Sequence, residues 1–183
     1  MAEKINVEIK GTTPIIFNRF RDKQIEGKSK KRTGAVVESE IEDKLYLIDE
    51  KVCLPSVYLK NSLTEASKQF KIIGKGKSTY TKLVASTVDI TPFMIEFKSK
   101  NKFEVFRISA VNPMTRGRMM TERPKYNKWS VEFEIILNDE SVDSKVINEI
   151  LEHAGKYVGI GDWRPQTKGM FGKFMITSFK VVK

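Results

Sequence analysis

A chain of 183 residues with 40% hydrophobic and 31% charged side chains can bury a proper core and is too apolar to be disordered. Its single cysteine, Cys53, excludes an internal disulfide framework, and no apolar run approaches the ~18 residues needed to span a bilayer. The formal charge of +10 points to a polyanionic partner, nucleic acid before a membrane surface, and the start MAEKINVEIKG lacks the apolar core of a secretory signal, so a cytoplasmic location is expected.

Ile5, Val7 and Ile9 alternate with Asn6, Glu8 and Lys10, the period of a half-buried strand that runs on through Gly11 and Pro14 into Ile15, Ile16 and Phe17. An insertion over about 18–44 follows, with seven basic residues by Arg32 and little periodicity; it reads equally as a solvated tether or a nucleic-acid contact. Leu45, Tyr46, Leu47 and Ile48 predict a short strand. Pro55 and Ser56 then open a helix whose buried face is Leu59, Leu63, Ala66 and Phe70. The segment from Lys71 to Lys82, rich in lysine and carrying Gly74 and Gly76, reads as an exposed basic loop.

Val84, Val88 and Ile90, then Phe93, Ile95 and Phe97, predict a strand interrupted near Pro92. A basic two-stranded arm is expected as a second insertion, at about 99–128, with RISAVNPM outbound, TRGR as the turn and MMTERPKYNKW returning. Trp129, Val131, Phe133, Ile135 and Leu137 then alternate with Ser130, Glu132 and Glu134. Ser141 or Asp143 can cap a second helix with a stripe of Val146, Ile147, Ile150, Leu151, Ala154 and Val158, and Gly159 can stop it. A glycine-rich loop comes next, and Phe174 to Val182 closes the chain as a strand. With the insertions set aside the order is β-α-β-β-α-β, so the expected fold class is α+β, a ferredoxin-like, RRM-like core with an antiparallel sheet in a single domain over 1–183.

Metal and nucleophilic chemistry have little to stand on. Cys53 and His153 are the only cysteine and histidine and fall in different elements, and Glu132 and Glu134 read as a solvated strand face. No catalytic residue, metal or cofactor is therefore expected. Features suited to single-stranded nucleic acid are more numerous. The arm carries Arg116, Arg118, Arg123, Lys125 and Lys128 within 13 residues, interleaved with Tyr126 and Trp129; cations neutralise phosphates and aromatic faces stack on unpaired bases. Met114, Met119 and Met120 suit wedging against bases and packing on a neighbour equally well, and Trp129 is read first as a core residue. In the loop, Gly159 and Gly161 let main-chain N–H groups approach an anion, Arg164, Lys168 and Lys173 supply charge, and Trp163 can stack. The competing reading is a glycine-rich connection that merely clasps the sheet edge.

The tail VGIGDWRPQTKGMFGKF resembles the C-terminal glycine-rich loop of the RAMP superfamily, ferredoxin-like RNA-binding proteins of CRISPR systems, and VCLPSVYLKNSLTEASK resembles that superfamily's entry into its first helix. The nearest type is the repeated backbone subunit that coats guide RNA and carries a thumb hairpin, to which the segment from Arg107 to Trp129 would correspond. IKGTTPIIFNRF, RGRMMTERPKYNKW and VGIGDWRPQTKG are also similar to uncharacterised phage and mobile-element proteins. The loop departs from the family's denser glycine-basic spacing by holding DWRPQ inside it. Some backbone subunits cleave target RNA with an aspartate after the first strand, a place that Asp22 would occupy here. The resemblance implies a non-catalytic protein that coats single-stranded RNA or DNA as a homo-oligomer, the alternatives being a metal-dependent endoribonuclease and an assembly protein that binds no nucleic acid.

Overall fold

The computed structural model describes residues 3–19, 41–111, 114 and 116–182. Strand β1 (Glu3–Gly11) lies second from the edge of an antiparallel sheet, between the edge strand β10 (Phe174–Val182) and β9 (Ser130–Leu137). Beyond β9 come β6 (Met94–Lys98), β4 (Lys51–Pro55) and β3 (Tyr46–Ile48), while β5 (Val88–Thr91) pairs with the far end of β9. Ile5 faces Ile135 and Val181, and Val7 faces Phe133 and Phe179, so the alternating sets read from the sequence align across strands. They form one core with Leu59, Leu63 and Ala66 of helix α1 (Ser56–Ala66) and Ile147, Ile150 and Leu151 of helix α3 (Ser144–His153). Asp143 caps α3 through its side chain, which accepts the Lys145 N–H at 3.0 Å. Glu132 and Glu134 face outward and pair with Lys98 and Lys4 at 2.6 and 3.7 Å, the solvated face expected of them.

Two elements escape the sequence reading. Strand β4 occupies Lys51–Pro55, where only a helix start at Pro55 was expected. Helix α2 (Thr81–Thr87) occupies a segment expected as loop and strand. Its β-branched and hydroxyl residues are poor helix formers, but Ser86 and Thr87 return their hydroxyls to the Lys82 and Leu83 carbonyls at 2.8 Å. Lys60 of α1 also donates to the Val84 and Val88 carbonyls, so a residue distant in sequence closes the end of α2.

A second antiparallel sheet holds β7 (Glu104–Val111), β8 (Arg118–Tyr126) and the short β2 (Ile15–Ile16). β7 and β8 pair from Glu104↔Lys125 out to Val111↔Arg118. At its base the hairpin is not free: Ile15 and Ile16 pair with Tyr126 and Lys125. Trp129, 3% exposed, seals the junction between the two sheets, and its indole Nε1 donates to the Thr13 carbonyl at 3.0 Å. Gly11 is needed beneath it, since a Cβ there would lie 2.2 Å from Nε1. Among the described residues no helix is long and apolar enough to cross a membrane.

Candidate nucleic-acid interface

Helix α3 runs into a wide turn, Ala154–Val158, and the glycine-rich loop begins where the Gly159 N–H closes on the Ala154 carbonyl at 2.8 Å. From α1, the Ser62 hydroxyl donates to the Gly159 carbonyl at 2.9 Å. The loop is then stitched to the link between β1 and β2: Asp162 N–H to Ile16 carbonyl, Gly172 N–H to Pro14 carbonyl, and Lys173 N–H to the Thr13 hydroxyl, all within 3.0 Å. Across the loop, the Ile160 N–H reaches the Gly172 carbonyl at 3.0 Å and the Phe171 N–H reaches that of Trp163 at 3.1 Å. The amides of Gly159, Gly169 and Gly172 are thus consumed by the protein.

This corrects the expected role of the glycines. Gly159 and Gly161 are buried and serve close packing, Gly161 against Ile15, and the Gly159 N–H is spent on the Ala154 carbonyl instead of being presented to an anion. A Cβ on Gly169 would lie 1.7 Å from the Trp163 carbonyl oxygen, and one on Gly172 would lie 1.7 Å from that of Ile160. The glycines let two passes of the loop touch each other and so clasp it shut.

What the clasp presents is side chains. Lys168 is exposed, with a left-handed backbone at φ 63°. Arg164 is half-buried, its Nε donating to Gln166 Oε1 at 2.9 Å and its Nη1 to the Gly161 carbonyl at 3.2 Å, so the guanidinium is held in a fixed plane. Trp163, half-buried, meets the edge of Phe106 on β7 at 6.2 Å. Lys173 is half-buried at the far end of the loop.

The hairpin residues divide into two groups. Arg116 and Arg118, near its turn, are exposed. Arg123 is only 12% exposed: its Nε pairs with Asp162 Oδ2 at 2.5 Å, and its guanidinium lies 5.5 Å from the Trp163 ring centroid. Expected to hold phosphate, Arg123 instead bolts hairpin to loop. Lys125 pairs with Glu104 at 2.8 Å. Tyr126, expected to stack on a base, is 6% exposed and packs among Phe17, Phe97 and Phe103. Burial pushes its hydroxyl pKa up to about 12. Because Arg123–Asp162 is largely desolvated, Asp162→Ala is expected to cost about 1–3 kcal/mol of stability and to loosen hairpin from loop, measurable as lower amide protection in β8.

The sequence reading missed several residues around this surface. On the opposite face of the hairpin from Phe106 and Arg123, Arg107 pairs with Glu122 at 2.6 Å, and Lys44 donates to the Glu122 carbonyl. The hydroxyls of Tyr46 (β3) and Tyr58 (α1) meet at 2.9 Å, with Arg19 over the Tyr46 ring at 5.8 Å. Burial first, then the hydrogen bond with Tyr46, holds the Tyr58 hydroxyl above the usual range, and the charges of Asp162 and Arg164 also reach it. Tyr58 lies inside the VCLPSVYLKNSLTEASK stretch that opens α1, whose resemblance was the signal available in the sequence. Asp22 lies outside the described residues.

The fold and this surface define an α+β domain with a loop-locked basic hairpin. No family model matches the chain, and no curated protein matches its sequence. Solved structures do. The chain is similar to one in the type III-B Cmr-beta complex, determined by cryo-EM bound to cognate target RNA, with a TM-score of 0.65 at 14% identity over 100% of this chain and 61% of that one. It is also similar to Cmr6 from Pyrococcus furiosus, with a TM-score of 0.46 at 9% identity, covering 96% and 98% of the two chains. At such identity the likeness is one of fold. The chain spans 61% of the length of its Cmr-beta neighbour.

Proposed function

We propose that this protein is a non-catalytic, sequence-tolerant single-stranded nucleic-acid-binding subunit, with RNA as its ligand, that assembles side by side along the strand. The strand order β10–β1–β9 followed by β5 and β6, with α1 and α3 on the buried face, is read as a ferredoxin-like core, and β7–β8 as its inserted arm. The observation that carries the reading is the composite surface at the hairpin–loop junction, where the Arg123–Asp162 pair and the Arg123 guanidinium against the Trp163 ring tie the hairpin to the loop segment that also carries Arg164 and Lys168. Fixed cations next to a ring suit phosphates and an unpaired base together, and neither contact reads base sequence. Support also comes from the fold neighbour, which was solved with target RNA bound.

The exposed cations that remain for phosphate are Arg116, Arg118 and Lys168, with half-buried Arg164 and Lys173, and Trp163 is the stacking residue. A gel-shift experiment with matched RNA and DNA strands of about 20 nucleotides tests the reading. Retention of RNA is expected, with affinity falling at least about 50-fold between roughly 50 and 200 mM salt for the four or so phosphate contacts at this junction. Absence of any shift with either strand at low salt would sink the proposal.

A further inference from the structure

Lys10, Lys98, Lys100 and Lys128 reach one groove from four different segments: β1, β6, the β6–β7 link and the β8–β9 turn. The groove has a volume of about 700 Å³ and is floored by Phe97 and Trp129, whose rings stack at 6.0 Å with 17° between planes. A second groove of about 370 Å³ shares Phe97, Ser99 and Lys100 with it and extends it to Lys102, so the depression is elongated. All five lysines are exposed. Lys98 is taken by Glu132, and Glu96, the one carboxylate in the larger groove, is taken by Lys51 at 3.5 Å. Among the described residues no carboxylate pairs with Lys10, Lys100, Lys102 or Lys128.

The groove is built. The Ser99 hydroxyl donates to the Lys128 carbonyl at 2.9 Å, tying the β6–β7 link to the β8–β9 turn. Trp129 is held by Thr13, whose hydroxyl in turn receives the Lys173 N–H, so the groove adjoins the end of the glycine-rich loop. Like charges gathered on fixed segments repel one another unless a polyanion neutralises them. Lysine ammoniums are point charges without the planar fork that recognises a compact anion, and a row of them along an open trough suits a phosphodiester backbone.

We propose that this lysine groove is a second contact for the same nucleic-acid strand, one that carries it past Lys173 and along the end of the main sheet beneath the hairpin. The inference rests on the functional reading above and extends the footprint beyond the hairpin–loop junction. Lysine there sets how much strand one subunit covers, with no base preference.

The test is the triple variant Lys10→Gln, Lys100→Gln, Lys128→Gln, compared with Lys75→Gln, Lys77→Gln, Lys145→Gln, which removes equal charge from exposed sites elsewhere. Binding is measured to RNA strands of about 8 and about 20 nucleotides across a salt series, with thermal melts to check folding. The groove variant should keep its affinity for the short strand and lose most of the wild-type gain with length. Its salt slope on the long strand should fall by about 2, near 0.7 for each phosphate released, while the control keeps the wild-type slope. An unchanged length gain and slope in the groove variant, or equal losses in both variants, would overturn the inference and leave the junction reading intact. If the wild type binds neither strand, both fall.

Discussion

Charge reversal at Arg164 and Lys168 is expected to weaken single-stranded RNA binding by at least about 100-fold, the combined loss of two charge-assisted phosphate contacts. Arg164 is pre-aimed by its bonds to Gln166 and the Gly161 carbonyl, so little ordering entropy opposes its grip on a phosphate. Lys168 flanks the other end of the short turn Pro165–Thr167 and is exposed. Placing glutamate at both positions removes two cations and adds two anions where the strand would lie. Neither side chain is buried, so the melting temperature should move little, and Lys168→Glu adds no new backbone problem because a non-glycine residue already holds the left-handed conformation. Arg164→Lys keeps the charge without the fork and should fall between the two. Full RNA binding by the folded double variant would remove the loop from the interface.

The largest stability effect is expected at Gly172. Alanine there must place a Cβ 1.7 Å from the Ile160 carbonyl oxygen while holding φ at +71°. The backbone has to move, and with it the Gly172 N–H bond to Pro14 and the Ile160 bond to Gly172. The cost should be roughly 2–4 kcal/mol, or about 6–12 °C in Tm. Gly74 supplies the comparison: φ is +78° there too, but a Cβ would meet nothing within 4 Å. Gly74→Ala should therefore cost only the backbone strain, about 1 kcal/mol. Equal melting shifts for the two variants would refute the clasp.

Periodic positions were legible because their information is local. The alternations in β1 and β9 and the stripes of α1 and α3 follow from where successive side chains must point, and those residues form the core. Asp143 was legible as one of two candidate caps, with Ser141, for the same reason, and so was the break at Pro92, with β5 ending at Thr91 and β6 beginning at Met94. Helix α2 was not, because its end is closed by Lys60, a residue distant in sequence, and not by local propensity.

By itself, then, the sequence determined the basic charge, the positions of most strands and of two helices, and a long glycine-rich passage beside a cationic segment. Only the tertiary structure decided what those glycines and cations do. Composition counts Arg123 and Arg116 alike, but desolvation beside Asp162 makes the first a structural bolt while the second stays in water. Tyr126 likewise became core once Phe17, Phe97 and Phe103 closed around it. A glycine that spares room for a phosphate and one that spares room for a carbonyl read the same in a chain. The difference lies in which atom arrives within 2 Å of the missing Cβ, and at Gly169 and Gly172 the loop's own backbone arrives there.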